Sequence, residues 1–318
     1  MDEQAHASLP RACAGAARYC PQCGQASAIS LQDSLWPASW ICPSCNHTMP
    51  RSDGFALLAP SLDQGNEGFE LLNFALLAAA ESGNFWFESR NELIRWLIER
   101  YAPHAERALE IGCGTGFALA ALRQALPAAR IAGSELHSRG LACARERHGG
   151  DVELFQMDAR HSHLAQALDL VGAFDVLEHI AEDESVLGEI GRMLKPGGIF
   201  IATVPQHPWL WSTSDDLALH QRRYRRGELA RKATTAGLKP LYESSFTTLS
   251  FPMMAASRLL ERLRRRKPSL AALSDSQLHL SPLVNGLLLG LARLEHGLRR
   301  AKVPLPFGGS QVLVAQRP

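Results

Sequence analysis

The 318-residue chain has almost no net charge: 33 Lys and Arg against 32 Asp and Glu leave +1. An electrostatic nucleic-acid binder carries a strong positive excess, so nucleic acid is not an expected partner. Long hydrophobic runs are also missing, and no stretch reaches the roughly 20 apolar residues that a membrane span requires. The first residues include Asp2, Glu3 and His6 and no hydrophobic segment, which argues against a secretory signal. The expected address is therefore cytoplasmic, where thiols stay reduced and structural disulfides are not expected. Aromatic residues are sparse at 7%, yet apolar residues reach 46%, ample for a folded core. The length has room for one core of about 230 residues and a small accessory module.

What is present begins with Leu109-Glu110-Ile111-Gly112-Cys113-Gly114-Thr115-Gly116. The stretch reads as the end of a buried strand entering a glycine-rich turn. A helix from Phe117 to about Leu126 follows, stopped by Pro127. Glycine lets backbone turn sharply and lie against a ligand, because no Cβ intervenes. Open α/β sheets bind nucleotide-like cofactors at such a strand–turn–helix. A dinucleotide site needs a third glycine where Phe117 stands, so that pattern fails. The observed order is E-x-G-x-G-x-G, and an acid at the strand end suits a ligand with a cationic ammonium.

Further strands are predicted at Arg130–Glu135, Val152–Asp158, Asp169–Leu177, Ile199–Val204, Leu238–Phe246 and Gln311–Gln316. Glu135 ends the second strand nineteen residues after Gly116, where a Rossmann-type fold places its ribose-binding acid. Asp158 ends the third and is positioned to accept from an adenine amino group. Asp175 lies near the end of the fourth. Asp175-Val176-Leu177-Glu178-His179-Ile180 and Leu194-Lys195-Pro196-Gly197-Gly198 complete the set.

Together these motifs resemble the class I S-adenosylmethionine (SAM) methyltransferases of the type 11/12-like kind, notably the quinone-biosynthesis methyltransferases. The resemblance covers about residues 85–318 and is most specific between Leu109 and Pro205. It implies a Rossmann-like seven-stranded α/β sheet with helices on both faces. It implies cofactor contacts from Glu110, Gly112, Cys113, Gly114, Gly116, Glu135, Asp158, Ala159 and Asp175. In such relatives an aromatic segment like Phe85-Trp86-Phe87 precedes a helix, here Ser89–Tyr101, and helps cover the cofactor. By that resemblance Arg90 pairs with the SAM carboxylate.

A second signal lies nearer the N-terminus. Cys20-Pro21-Gln22-Cys23-Gly24 and Cys42-Pro43-Ser44-Cys45-Asn46 are two C-x-x-C knuckles. Four thiolates at that spacing suit a structural Zn²⁺. Gly24 and Asn46 each follow a second cysteine, and both residue types accept left-handed backbone. The expected organisation is a disordered tail at 1–18, a four-cysteine zinc ribbon at 19–50, and a linker with one helix (Phe69–Glu81) at 51–84. The methyltransferase domain then fills 85–318, with a helical insertion at about 247–310 formed by Phe251–Leu263 and Leu283–Arg300.

The acceptor site is expected beyond the fifth strand, in Trp209–Tyr224 and the inserted helices, where Met253 and Met254 would give an adaptable lining. His179, His220 and Tyr224 are the candidate catalytic residues, with His220 and Tyr224 on one helix face. His207 is a further candidate base. The basic run Arg262–Lys267 either touches an anionic membrane peripherally or satisfies a helix C-terminus. The resulting expectation is methyl transfer from SAM to a small-molecule or lipid-like acceptor, most simply at oxygen. Two alternatives remain open at this point. One is an rRNA or tRNA base methyltransferase, because a zinc ribbon ahead of this domain also resembles the ribosomal-RNA guanine methyltransferases. The other is a non-catalytic SAM-binding protein.

Overall fold

A computed structural model describes residues 15–63, 73–263 and 280–318. The tail to residue 14, Phe69–Leu72 of the expected linker helix and Arg264–Lys267 of the basic run lie outside the described residues. The strands are β1 (Ala17–Tyr19), β2 (Ala26–Ala28), β3 (Arg51–Ser52), β4 (Phe55–Leu57), β5 (Arg107–Ile111) and β6 (Arg130–Glu135). They continue with β7 (Glu153–Gln156), β8 (Leu164–Ala165), β9 (Leu168–Phe174), β10 (Leu194–Pro205), β11 (Lys239–Phe246) and β12 (Ser310–Gln316). The helices are α1 (Asn73–Glu81), α2 (Phe85–Tyr101), α3 (Leu119–Ala125), α4 (Ser138–His148) and α5 (Asp183–Met193). After these come α6 (Thr213–Leu217), α7 (Glu228–Thr235), α8 (Phe251–Leu263) and α9 (Pro282–Arg300).

The main sheet runs β11-β12-β10-β9-β5-β6-β7-β4-β3. Strands β10 through β4 are parallel, while β12 lies antiparallel between β10 and β11. Every residue of β5 is buried, as is nearly all of β9. Such continuous burial follows from helices covering both faces. From β5 the chain winds outward to β6 and β7, then returns to β9 on the other side of β5. Where that winding direction reverses, a crevice opens at the carboxyl ends of the strands.

Two differences from expectation have clear causes. Phe85-Trp86-Phe87 does not precede a helix but forms the first turn of α2, because Asn84 caps it by accepting from the Trp86 N–H at 3.0 Å. The segment expected as linker instead lengthens the sheet. β4 pairs in parallel with β7, and β3 adds an antiparallel edge, so seven core strands become nine.

The cysteine module is joined to the domain rather than tethered to it. β1 begins inside the expected tail and pairs on one side with β2 and on the other with β8. Leu35, Trp36 and Met49 are buried in the same core as β5 and β9. The Glu153 carboxylate accepts from the Leu35 and Trp36 N–H groups at 2.8 and 2.7 Å. The buried Arg107 guanidinium donates to the carbonyls of Ser30, Leu31 and Asp33 at 2.6–2.9 Å. Losing that donor leaves three carbonyls without their partner, a cost of about 2 kcal/mol or more. Arg107→Ala is therefore expected to lower the melting temperature of the whole domain by several degrees, in one transition. An unchanged melt followed by calorimetry would show that the module does not brace the core.

Candidate active site

The crevice is a cavity of about 1250 Å³. Its floor is the glycine turn after β5. Gly112, Gly114 and Gly116 have φ of +62°, +51° and +77°, the left-handed region that favours glycine. A Cβ on Gly112 would stand 2.6 Å from Val176 Cγ2, whereas one on Gly114 would meet nothing nearer than Phe74 at 3.9 Å. The Gly114 N–H donates to Glu135 Oε2 at 3.0 Å, and Glu135 Oε1 accepts from the Leu136 N–H at 2.8 Å. Glu135 thus ties the end of β6 to the turn after β5.

The cavity is rich in desolvated carboxylates. Glu110 is 2% exposed, its Oε2 has no hydrogen-bond partner among the described residues, and burial pushes its carboxyl well above the ordinary range. Burial also raises Glu135. Glu81, brought in by α1, is raised by burial too; its two oxygens accept from Thr115 Oγ1, and Arg147 donates to it at 2.6 Å. Glu178, 1% exposed, is raised by burial and then by the charge of Asp175. Asp158 is held by the Arg160 guanidinium at 2.9 Å. Arg90 lies 4.6 Å from the centroid of the Trp86 ring and pairs with Asp175 at 2.8 Å. Thr203 Oγ1 donates to the same Asp175 oxygen at 3.0 Å.

Elsewhere on the cavity wall, His220 Nδ1 lies 2.9 Å from Asp215 Oδ1. That carboxylate is 1% exposed and also accepts from Arg223 Nε at 2.7 Å. Its Oδ2 accepts from the Ser212 N–H and hydroxyl, closing a capping box at the start of α6. Burial pushes the Asp215 carboxyl up, but the bonds from His220 and Arg223 outweigh it and hold it down at about 2. An ionised Asp215 makes Nδ1 of His220 the protonated nitrogen. The basic nitrogen, Nε2, then points toward Glu178, 4.0 Å away. His179 stacks edge-on against His220 with ring centroids 4.8 Å apart. Met253, Met254, Val284 and Leu288 from α8 and α9 line the same cavity.

Residues 109–202 match a family described as Methyltransferase domain. These residues form a methyltransferase domain. The chain is 28% identical over 165 residues to a probable SAM-dependent methyltransferase of Mycolicibacterium smegmatis, covering 49% of this chain and 60% of that protein. It is 31% identical over 121 residues to a ubiquinone biosynthesis O-methyltransferase of Pseudomonas entomophila, covering 36% and 51% respectively. The match thus spans little more than half the length of these relatives. Among solved structures, phosphoethanolamine N-methyltransferase 2 of Haemonchus contortus with bound SAM superposes with a TM-score of 0.51 at 20% identity, covering 81% of this chain and 59% of that one. The [4+2]-cyclase SpnF gives 0.51 at 21%, covering 78% and 93%. Both likenesses show the class I methyltransferase fold.

The fold brings Arg90, Glu110, Gly112, Cys113, Gly114, Glu135, Asp158, Ala159 and Asp175 to one cavity, together with His179 and His220. Gly116 sits behind the turn, against Ala144 of α4. Arg90 reaches the cavity already paired to Asp175, so the two act as one unit. Tyr224 is not brought there. It is fully buried, and its hydroxyl donates to Asp183 Oδ2 at 2.7 Å, which with burial pushes the phenol up. Residues 220–224 are not helical, because Tyr224 pairs its backbone with Pro205 and His207 at the end of β10. Trp209, Trp211 and His207 also lie off the cavity wall. Trp211 donates to Asp216, and His207 packs on Trp209 and Phe251. The methionine and aliphatic side chains of α8 and α9 therefore line this cavity, whereas Trp209 and Trp211 do not. Asp215 and Glu81 were not among the expected site residues. Asp215 had a readable signal, the S-x-x-D of a capping box with a histidine five residues on.

In the cysteine module, Cys20 and Cys45 sulfurs are 3.7 Å apart, and those of Cys23 and Cys42 are 3.6 Å apart. Four sulfurs about 2.3 Å from a central Zn²⁺ stand about 3.8 Å from one another in a tetrahedron. Gly24 and Asn46 have φ of +72° and +60°, as the knuckles require. The four thiols fit a tetrahedral metal.

The turn geometry separates two substitutions. Gly112→Ala combines left-handed strain with a collision at Val176 and is expected to cost about 2–3 kcal/mol; Gly114→Ala carries the strain alone, about 1 kcal/mol. Denaturant unfolding of both variants checks the order, and equal losses would contradict the cradle described.

Proposed function

We propose that the protein transfers the methyl group of SAM to a hydroxyl of a small or lipid-like acceptor, with Zn²⁺ held by Cys20, Cys23, Cys42 and Cys45 as a structural ion. One observation carries the cofactor assignment: a buried carboxylate oxygen of Glu110, without a partner among the described residues, belongs to the same acid-lined cavity as the glycine turn. A cationic ammonium satisfies that oxygen, and the surrounding acids favour a cofactor that carries positive charge. Glu135 would serve the ribose, Asp158 and Ala159 the adenine, and the Arg90–Asp175 unit the amino-acid end. SAM supplies an activated methyl group on a sulfonium.

This chain's residues do the rest. The left-handed glycines hold the cofactor end of the cavity open. α8 and α9 exclude water from the acceptor end and orient an apolar acceptor, which is where much of the acceleration of such a transfer arises. His220 Nε2 accepts the hydroxyl proton, and Asp215 fixes the tautomer that leaves this nitrogen basic. The ionised Asp215 stabilises the imidazolium that results. The ubiquinone biosynthesis O-methyltransferase relative supports oxygen as the atom methylated.

The RNA reading finds less support. Arg18 of the ribbon is 4% exposed, which leaves Arg51 as the exposed arginine there, and it donates to the carbonyls of Gly54 and Trp36. An RNA surface needs exposed cations there. No helix among the described residues is long and apolar enough to cross a membrane.

Because burial raises Glu110, and an ammonium favours its ionised form, cofactor binding must lower its pKa. Binding should therefore release protons, and affinity should fall as pH drops through the raised pKa of the free protein. Calorimetry with S-adenosylhomocysteine in buffers of different ionisation enthalpy measures this. Glu110→Gln should abolish the proton release and weaken binding about tenfold or more. Binding of full strength with no pH dependence would remove Glu110 from the cofactor site.

A further inference from the structure

A second cavity, of about 390 Å³, lies between α2, β11 and the chain that follows α9. It shares no lining residue with the cofactor cavity. Its volume falls within the range of small-ligand sites, about 300–1,000 Å³. Five cations line it: Arg100, Arg226, Arg299, Arg300 and Lys302. The chain as a whole carries a net charge of only +1, so this concentration is local.

Four of those five cations are not paired with an acid among the described residues. Glu243 is the one carboxylate among the lining residues, and its Oε1 is already bonded to the Gly227 N–H and to Gln311 Nε2, both at 2.8 Å. Arg100, Arg226, Arg300 and Lys302 form no ion pair among the described residues. Arg299 is 4% exposed, and it is fixed by Glu295 at 3.0 Å and by the Ser245 carbonyl. Its Nε is a buried donor without a partner. Helix-end arginines alone would satisfy the carbonyls of α9, but Arg100 and Arg226 come from elsewhere in the chain and converge on the same concavity.

Aromatic rings line the same cavity. The Trp96 and Tyr242 rings meet edge-on with centroids 6.0 Å apart, and Tyr101 leans on Tyr242 at 5.9 Å. The Arg100 guanidinium lies 5.5 Å from the Tyr101 centroid and 5.9 Å from that of Trp96. Guanidinium groups bind phosphate through planar, paired donors, and flat rings take other flat rings. We infer that this cavity is a binding site for a nucleoside phosphate: phosphates on the arginines and Lys302, and the base against Trp96 and Tyr242.

The test uses the full-length protein saturated with S-adenosylhomocysteine, so that the cofactor cavity is filled. ADP, adenosine and inorganic phosphate are titrated by calorimetry. The expected result is that ADP binds about tenfold or more tightly than either fragment, and more weakly as salt is raised. The double variant Arg300→Glu/Lys302→Glu should weaken ADP by about tenfold or more while S-adenosylhomocysteine affinity stays unchanged. Both positions are exposed, so folding should survive; Arg226→Glu is the independent check. Trp96→Leu should weaken ADP and spare phosphate. ADP heat that is absent, that disappears on filling the cofactor cavity, or that is unchanged in both charge variants would overturn the proposal. A short RNA that displaces ADP and binds more tightly would also overturn it, in favour of a nucleic-acid surface.

Discussion

Desolvated negative charge at the carboxyl ends of β5, β6 and β9 is the constraint around which the molecule is arranged. Glu110, Glu135 and Glu178 are set into one cavity by the strands and turns that the glycine motif dictates, and burial disfavours the charged form of each. A carboxylate in such surroundings must protonate, find a donor, or meet a cation. Glu135 solves the problem locally with backbone N–H groups. Asp175 solves it with Arg90. Glu110 has no such partner for its Oε2 among the described residues. A cavity so composed repels pyrophosphate and attracts a sulfonium–ammonium ligand, and the same physics excludes a dinucleotide despite the Rossmann-like strand order.

The outer elements are understandable as supports for that crevice. α1 delivers Glu81 to Thr115 and Arg147, fixing the turn from the outside. The cysteine module grips β7 through Glu153 and β5, the strand that carries Glu110, through Arg107. α9 packs on α2, with His296 Nε2 3.0 Å from the Ser89 carbonyl and Arg293 paired to Glu92 at 3.1 Å. This holds α2, and hence Arg90, in place. The strap Gln221–Tyr224 is tied to Glu178 by the Gln221 N–H at 2.7 Å, which sets the distance between His220 and the strand ends.

Much of this was legible because it is local. The strands were visible as apolar runs, the turn as spaced glycines, and the knuckles as paired cysteines followed by Gly24 and Asn46. Glu135 and Asp158 were readable because an α/β fold places acids at strand ends. What the sequence concealed was non-local. Nothing near Arg51–Leu57 indicates that it pairs with β7 some hundred residues away, so it read as a linker. Tyr224 and His220 are four residues apart, which suggests a shared helix face; with the backbone of Tyr224 paired to Pro205 and His207, its side chain is buried on Asp183 while His220 lines the cavity. The tryptophans of the same loop looked like a binding wall, but Trp211 bonds to Asp216 and stays off the cavity. Asp215 illustrates the converse: its capping-box signal was present, but its second oxygen's link to His220 depended on the loop's path.

The central claim is that an acid-lined cavity serves methyl transfer to an acceptor, and it is tested most directly by following the methyl group. Purified protein is incubated with methyl-labelled SAM and a small-molecule and lipid extract of its source cells, beside the Glu110→Gln variant. Methyl transfer predicts a labelled product and S-adenosylhomocysteine in equal amounts with the unaltered protein, and little of either with the variant. SAM that binds but is never consumed, across extracts and pH, would contradict the claim and leave a cofactor-binding protein of the same fold.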